Sequence, residues 1–259
     1  MKPNKVKKKL ISGQSVFGIW SMIPSPMVAN IIATSGVDFH ITDLEHGPAD
    51  LVTLESVIYA VEAAGSTPIV RVPNSSDEEI LKVLELGVSS IMMSHVSSAT
   101  EARRLVSSCL YPNLGTRGLS PFTRNHDYSE RNLIDKLQRS NEEMLVGALV
   151  EGETVLSSMQ EISEVENLDL VYFGIFDLAS SMGIPGKIDD PKILRLLEKS
   201  VKILDQNGKA AGTVARDEQT LKMFSDIGIR FLAYRNDSSM LMESCESGIQ
   251  SFKNLKEKK

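Results

Sequence analysis

The sequence predicts an α/β chain closed into a (β/α)8 TIM barrel, on three observations. Its 259 residues are close to the roughly 250 that such a barrel needs. Eight short runs rich in Val, Ile, Phe or Leu recur from near the start to the end. Amphipathic stretches separate these runs, and none of the runs alternates apolar with polar residues as a half-solvated antiparallel strand would.

Strands are predicted near 16–21, 38–43, 67–72, 89–94, 145–151, 169–175, 210–214 and 230–235. The segments between them carry helix punctuation. Asp77-Glu78-Glu79 puts acidic side chains where a helix N-terminus favours them, and Gly87 stops that helix. Asp190 is placed to cap a helix with Pro191 at its first position and Gly208 beyond its end. Asp217-Glu218 opens the next, which Gly228 closes. No Gly-rich phosphate loop follows the first strand, which argues against an open nucleotide-binding sheet. Residues 111–132 break the alternation with Pro, Gly, Asn and Arg, and an excursion of that length in a compact chain is usually functional or mobile. No linker or composition break divides the chain, so residues 1–259 are taken as one domain.

Composition narrows the class. Hydrophobic residues at 42% and charged residues at 24% describe an ordinary globular protein that needs no staples. A formal net charge of −6 argues against nucleic acid as a partner. The basic cluster Lys2, Lys5, Lys7, Lys8 and Lys9, echoed by Lys256, Lys258 and Lys259, is not followed by the apolar run of a signal peptide. Nothing approaches the roughly 20 apolar residues of a membrane helix. Cys109 and Cys245 fit reduced thiols, so a cytoplasmic protein without a membrane partner is expected.

In a parallel barrel, catalytic groups sit where the strands end, on the C-terminal face. The second strand ends on Asp43, Glu45 and His46, the third on Arg71, the fifth on Glu151 and the sixth on Asp177. Ionisable groups are costly to bury unless paired or bound to metal, and several at one end are hard to explain by packing. Each has a plainer alternative. His46 can be a solvated turn histidine, Arg71 a rim ion pair, and Glu151 and Asp177 helix caps. Asp43 is spaced to hydrogen-bond the His46 imidazole and fix its tautomer. Two converging carboxylates would call for a hard divalent cation such as Mg²⁺. His40, His46, His95 and His126 are scattered, without zinc-site spacing, and no predicted strand holds a lysine for Schiff-base chemistry.

Five motifs in register resemble one family. Asp43-Leu44-Glu45-His46-Gly47-Pro48 is similar to the D-x-E-H-G-P signature of the HpcH/HpaI aldolases, the metal-dependent pyruvate aldolases built on phosphoenolpyruvate/pyruvate-domain barrels. Val70-Arg71-Val72-Pro73, Tyr111-Pro112 with Gly115-Thr116-Arg117-Gly118, Val150-Glu151, and Phe173-Gly174-Ile175-Phe176-Asp177-Leu178 with Ser181-Met182-Gly183 follow in order. The resemblance spans roughly residues 13–250. It implies a carbon–carbon lyase that makes or cleaves 4-hydroxy-2-oxo acids from pyruvate and an aldehyde, through an enolate held on a divalent metal. Mg²⁺ is the implied metal, with Mn²⁺ and Co²⁺ as alternatives. It further implies Glu151 and Asp177 as metal ligands, His46 with Asp43 as the acid/base pair, and Arg71 beside the enolate oxygen. The backbone of Gly174, Ile175 and Phe176 would hold the 2-oxo acid carboxylate. A homo-oligomer is implied as well, a hexamer or trimer of swapped dimers exchanging the last helix over 238–255.

The chain departs from the family at four positions: Leu149 replaces glutamine, Ile175 replaces proline, bulky Phe176 replaces a small residue, and Ser94 replaces proline. These changes alter the pocket wall, so the aldehyde cannot be inherited from the resemblance. Arg124, Asn125 and Tyr128 in the long loop are candidates for selecting it, against the alternative of solvated loop residues. Other readings of the same site are decarboxylation of a 2-oxo diacid of the oxaloacetate type and a non-catalytic paralogue that binds a 2-oxo acid or a partner. Acyl-CoA substrates are disfavoured by the aldolase-type signature.

Overall fold

The computed structural model describes residues 3–74 and 76–256. Lys2, Lys258 and Lys259 of the terminal basic clusters lie outside them. The first half runs α1 (Lys5–Ile11), β1 (Val16–Ser21), α2 (Pro26–Thr34), β2 (Phe39–Asp43), α3 (Leu51–Ala63), β3 (Thr67–Val72), α4 (Asp77–Glu85), β4 (Ser90–Met93) and α5 (Ala99–Cys109). After the long connection come α6 (Leu133–Glu143), β5 (Leu145–Val150), α7 (Glu153–Leu156), α8 (Met159–Ser163), β6 (Leu170–Phe173) and α9 (Ile175–Ser181). The chain finishes with α10 (Pro191–Gln206), β7 (Ala210–Ala215), α11 (Glu218–Asp226), β8 (Phe231–Asn236) and α12 (Asp237–Lys256).

Each strand pairs in parallel with the next, and β8 closes on β1, so the sheet is a complete eight-stranded barrel. The predicted fold class is therefore the observed one. The caps follow the sequence punctuation. Asp190 accepts from the Lys192 amide with Pro191 at N1, and Asp217 forms a capping box with Thr220. Ser76 caps α4, and Asp77, Glu78 and Glu79 occupy its first turn as expected.

One predicted strand ends early. The run 169–175 divides after Phe173, because Ile175 already belongs to α9. Continuous apolar residues are compatible with either a buried strand or a buried helix start, and periodicity cannot separate the two.

Two apolar layers hold the barrel. Inside it, Phe39 and Phe231 stack at 4.1 Å between ring centroids, and Tyr172 meets Phe231 edge-on. That packing needs Gly18, where an added Cβ would stand 2.2 Å from the Phe39 ring. Outside it, Ile58, Leu84, Leu105, Val146, Leu197 and their neighbours fill the space between strands and helices. At the N-terminal end, α1 packs Val6 and Leu10 against the inner layer, and Asn4 donates to the Ser89 carbonyl and Ser90 hydroxyl.

The 111–132 excursion is mostly exposed but is pinned to the barrel by the buried residues Tyr111, Arg117, Asn125 and His126. Arg117 is buried, paired with Glu85 at 3.1 Å and set over the Tyr111 ring at 4.5 Å. The Tyr111 hydroxyl meets His126 Nε2 at 2.8 Å and accepts from Asn125. Arg124 pairs with Glu62, donates to the Leu86 carbonyl and lies over Tyr59. Arg124 and Asn125 are thus held by contacts within the chain and are not solvated loop residues. Tyr128 is exposed, with its hydroxyl 3.4 Å from that of Tyr59.

Candidate active site

A cavity of about 400 Å³ opens at the C-terminal mouth of the barrel, within the roughly 300–1,000 Å³ range of small-molecule sites. The eight residues to which the family resemblance gives site roles line it: Asp43, His46, Arg71, Glu151, Gly174, Ile175, Phe176 and Asp177. Trp20, Tyr172 and Arg235 line it as well. The three long-loop candidates Arg124, Asn125 and Tyr128 do not.

Barrel register explains the centre of the site. Asp43 and Arg71 stand opposite each other where β2 pairs with β3. The guanidinium fork donates from Nε to Asp43 Oδ1 at 2.9 Å and from Nη2 to Oδ2 at 2.5 Å, the two-point geometry that makes arginine–carboxylate pairs strong. Trp20 Nε1 also donates to Oδ2, at 3.0 Å, and its ring lies under the Arg71 guanidinium. Burial pushes the Asp43 carboxyl up, but the Arg71 hydrogen bonds and charge outweigh it and hold the group below the usual carboxylate range.

The expected hydrogen bond between Asp43 and the His46 imidazole is not what the structure has. Asp43 instead accepts from the backbone amides of Glu45 and His46, at 2.8 and 3.1 Å. It thereby shapes the turn, while the exposed His46 ring makes no hydrogen bond among the described residues. The sequence spacing is right for a contact, but Arg71 directly across the ladder presents a better-matched pair of donors.

A second polar chain runs from β2 to β5. Glu45 Oε2 takes Arg71 Nη1 at 2.8 Å and the Ser94 hydroxyl at 2.5 Å. His95 then bridges Glu45 Oε1 at 2.6 Å and Glu151 Oε2 at 2.5 Å. Its backbone sits at φ 56°, a left-handed conformation uncommon outside glycine. Ser94, a departure from the family pattern, therefore anchors Glu45.

Glu151 and Asp177 do not cap helices: Gly152 precedes α7 and Gly174 precedes α9 in the capping positions. Burial raises the Glu151 pKa. The attraction of His95 opposes that, and repulsion from Asp177 and Glu45 adds to burial, so the net shift is upward. A site with surplus negative charge that resists ionisation fits a hard divalent cation between the two carboxylates. Among the described residues no group of three or more His, Cys, Asp or Glu is arranged to hold a metal. The protein's share would then be this pair, as suits a cation that takes its other oxygens from water and substrate. Gly174 makes room for it, since a Cβ there would meet Glu151 Cγ at 2.6 Å.

The family description HpcH/HpaI aldolase/citrate lyase matches residues 16–243. The chain belongs to the HpcH/HpaI aldolase/citrate lyase family. Its curated relatives include the hydroxypyruvate/pyruvate aldolase of Roseobacter denitrificans, 31% identical over 94% of this chain and 95% of that protein. The 2-keto-3-deoxy-L-rhamnonate aldolase of Salmonella gallinarum is 30% identical over 97% of this chain and 94% of that protein. Among solved structures, the citrate synthase SbnG superposes with a TM-score of 0.87 at 28% identity, covering 97% of this chain and 98% of the other.

His95, Tyr172 and Arg235 escaped the sequence reading of this HpcH/HpaI chain. His95 and Arg235 lie at the C-terminal ends of β4 and β8, where the same strand-end rule applied to every strand would have raised them. Tyr172 gave no signal, because a tyrosine within an apolar strand looks like core.

Proposed function

We propose that this HpcH/HpaI chain is a carbon–carbon lyase that forms or cleaves 4-hydroxy-2-oxo acids, using pyruvate as the enolate partner and an aldehyde as the electrophile. The observation carrying this reading is the meeting, in one cavity, of the Glu151 and Asp177 carboxylates with the Asp43–Arg71 clamp and His46. A divalent cation held by Glu151 and Asp177, Mg²⁺ in the first instance or Mn²⁺ or Co²⁺, would supply Lewis acidity toward the ketone of the 2-oxo acid. Arg71 stands ready with a fixed positive charge for the oxygen that becomes the enolate, and Asp43 keeps that guanidinium from reorienting. Having no hydrogen bond to the Asp43 carboxylate, the His46 ring is free at the cavity mouth to take and return a proton. The first turn of α9, at Ile175 and Phe176, offers backbone amides without intrahelical partners for the substrate carboxylate. Buried Ile175 and half-exposed Phe176 form an apolar wall there.

The exposed apolar side chains of α12, among them Leu241, Ile249, Phe252 and Leu255, support a homo-oligomer built through that helix. The free thiols Cys109 and Cys245 support a cytoplasmic location. No helix among the described residues is long and apolar enough to cross a membrane.

Pyruvate release from a panel of 4-hydroxy-2-oxo acids tests the reading. Release should require a divalent cation and fall to background in Glu151→Gln. Metal-independent release, or full activity in that variant, would contradict it. The likeness to SbnG favours one second reading, condensation of a 2-oxo acid with an acyl thioester. Free thiol released from acetyl-CoA and oxaloacetate at a rate above pyruvate turnover would establish that reading instead.

A further inference from the structure

The scheme above gives His95 no task, yet the chain holds it with care. It lies just beyond β4, and the backbone on either side of it is tied down. The Ser94 amide donates to the Val72 carbonyl at 2.9 Å, and the Val96 amide donates to the Leu149 carbonyl at 3.0 Å. One neighbour is thereby fixed to β3 and the other to β5. Between these anchors His95 takes φ 56°, a strained left-handed conformation of the kind that clusters at ligand sites. Its side chain is 57% exposed, so packing of the ring does not account for the conformation.

What the conformation achieves is a contact. His95 Nδ1 lies 2.5 Å from Glu151 Oε2, while Nε2 lies 2.6 Å from Glu45 Oε1. Glu45 is itself immobilised, since Arg71 Nη1 and the Ser94 hydroxyl hold its other oxygen. Proline, the family's usual residue at position 94, has neither the hydroxyl nor the amide hydrogen that make these ties. The imidazole thus pins one Glu151 oxygen from a fixed base. The other, Oε1, has no hydrogen bond among the described residues. It faces Gly174, where a Cβ would stand 3.0 Å from it, at the start of the α9 turn that carries Asp177. His95 does not line the cavity, so its effect there passes through Glu151.

Building on the metal assignment in the aldolase reading, we propose that His95 is a positioning residue for the cation site. By occupying Glu151 Oε2 it leaves the cation a single Glu151 oxygen, and the site thereby favours Mg²⁺ or Mn²⁺ over Ca²⁺. Ca²⁺ takes roughly six to eight oxygens and draws readily on both oxygens of a carboxylate. The smaller ions need about six, most of which water and substrate can provide. A carboxylate with one oxygen already engaged serves the smaller ion fully and deprives the larger.

The test is titration calorimetry of the full-length protein with Mn²⁺ and with Ca²⁺, in the absence of substrate. Wild type should bind Mn²⁺ more tightly than Ca²⁺, and Glu151→Gln should remove Mn²⁺ binding. His95→Gly, which suits the left-handed backbone, should weaken Mn²⁺ binding by about 10–100-fold, the range for loss of a hydrogen bond that supports a metal ligand. The same variant should bind Ca²⁺ as well as wild type or better, because Oε2 becomes available to it. His95→Asn tolerates the same backbone and places its amide nitrogen where Nδ1 stands. It should restore most of the Mn²⁺ preference without the contact to Glu45. No Mn²⁺ preference in wild type would overturn the proposal. So would an unchanged Mn²⁺ to Ca²⁺ ratio in His95→Gly, the result of a merely structural role, or a His95→Asn variant that behaves like His95→Gly. With Mn²⁺ still held through Glu151, those results overturn this proposal alone. No cation binding by wild type, or full Mn²⁺ binding in Glu151→Gln, overturns the metal assignment and this proposal with it.

Discussion

Replacing Asp43 by asparagine keeps the shape of the side chain and removes its charge. The Asp43 carboxylate accepts from five donors: Arg71 Nε and Nη2, Trp20 Nε1, and the amides of Glu45 and His46. Asparagine can satisfy those on the Oδ1 side, but its amide nitrogen would face two donors, Arg71 Nη2 and Trp20 Nε1. Breaking one partner of a buried ion pair costs about 3–5 kcal/mol. Arg71 keeps Glu45 at 2.8 Å, so the low end, about 3 kcal/mol, is the expected loss. For a chain of this size that corresponds to a fall in Tm of roughly 6–12 °C. Urea unfolding of Asp43→Asn, Arg71→Met, His46→Ala and the two double variants with Asp43→Asn checks the cause. The Asp43–Arg71 coupling should exceed about 2 kcal/mol, while Asp43→Asn and His46→Ala should add within about 0.5 kcal/mol, because only the His46 backbone reaches Asp43. Strong coupling to His46→Ala with none to Arg71→Met would refute the reasoning and restore an imidazole–carboxylate pair.

Two further outcomes follow from named contacts. His40 is fully buried in the barrel, and burial lowers its pKa from 6.5 to about 4. The native state keeps it neutral, so its contribution to stability is present above pH 6.5 and drains away as pH falls towards 4. By linkage the loss between pH 7 and 5 is about 2 kcal/mol. Urea unfolding at both pH values should show a loss larger in wild type than in His40→Gln by about that amount, and an equal pH dependence in both would contradict it. Gly174→Ala should weaken Mn²⁺ binding at least ~10-fold by titration calorimetry, since the new Cβ would stand 2.6 Å from Glu151 Cγ and displace that carboxylate. Unchanged affinity would mean that Glu151 does not hold the cation.

The fold was legible because each strand is a compact apolar run bounded by helix punctuation, and because a parallel barrel displays its chemistry at the strand ends. Asp43, Arg71, Glu151 and Asp177 could be named from that rule, and their convergence follows from closure of the sheet. The partner of Asp43 could not, since it depends on the β2–β3 register that sets Arg71 across from it. Arg235 stayed hidden for a related reason: a one-residue bulge decides which way it faces, and nothing in Leu232-Ala233-Tyr234-Arg235-Asn236 announces a bulge. Residues 111–132 read as a loop by composition and are mostly exposed, yet Arg117 with Glu85 and Tyr111 with His126 anchor them through contacts distant in sequence.

The central claim is that this cavity generates the enolate of a 2-oxo acid, and exchange of the pyruvate methyl protons for deuterium, followed by NMR with Mg²⁺ or Mn²⁺ and again with EDTA, tests it without knowledge of the aldehyde. The account predicts exchange that needs the cation, disappears in Glu151→Gln and drops by about 100-fold or more in His46→Ala. Folded wild-type protein that exchanges no protons with any divalent cation, or that exchanges them equally well in EDTA, would contradict it.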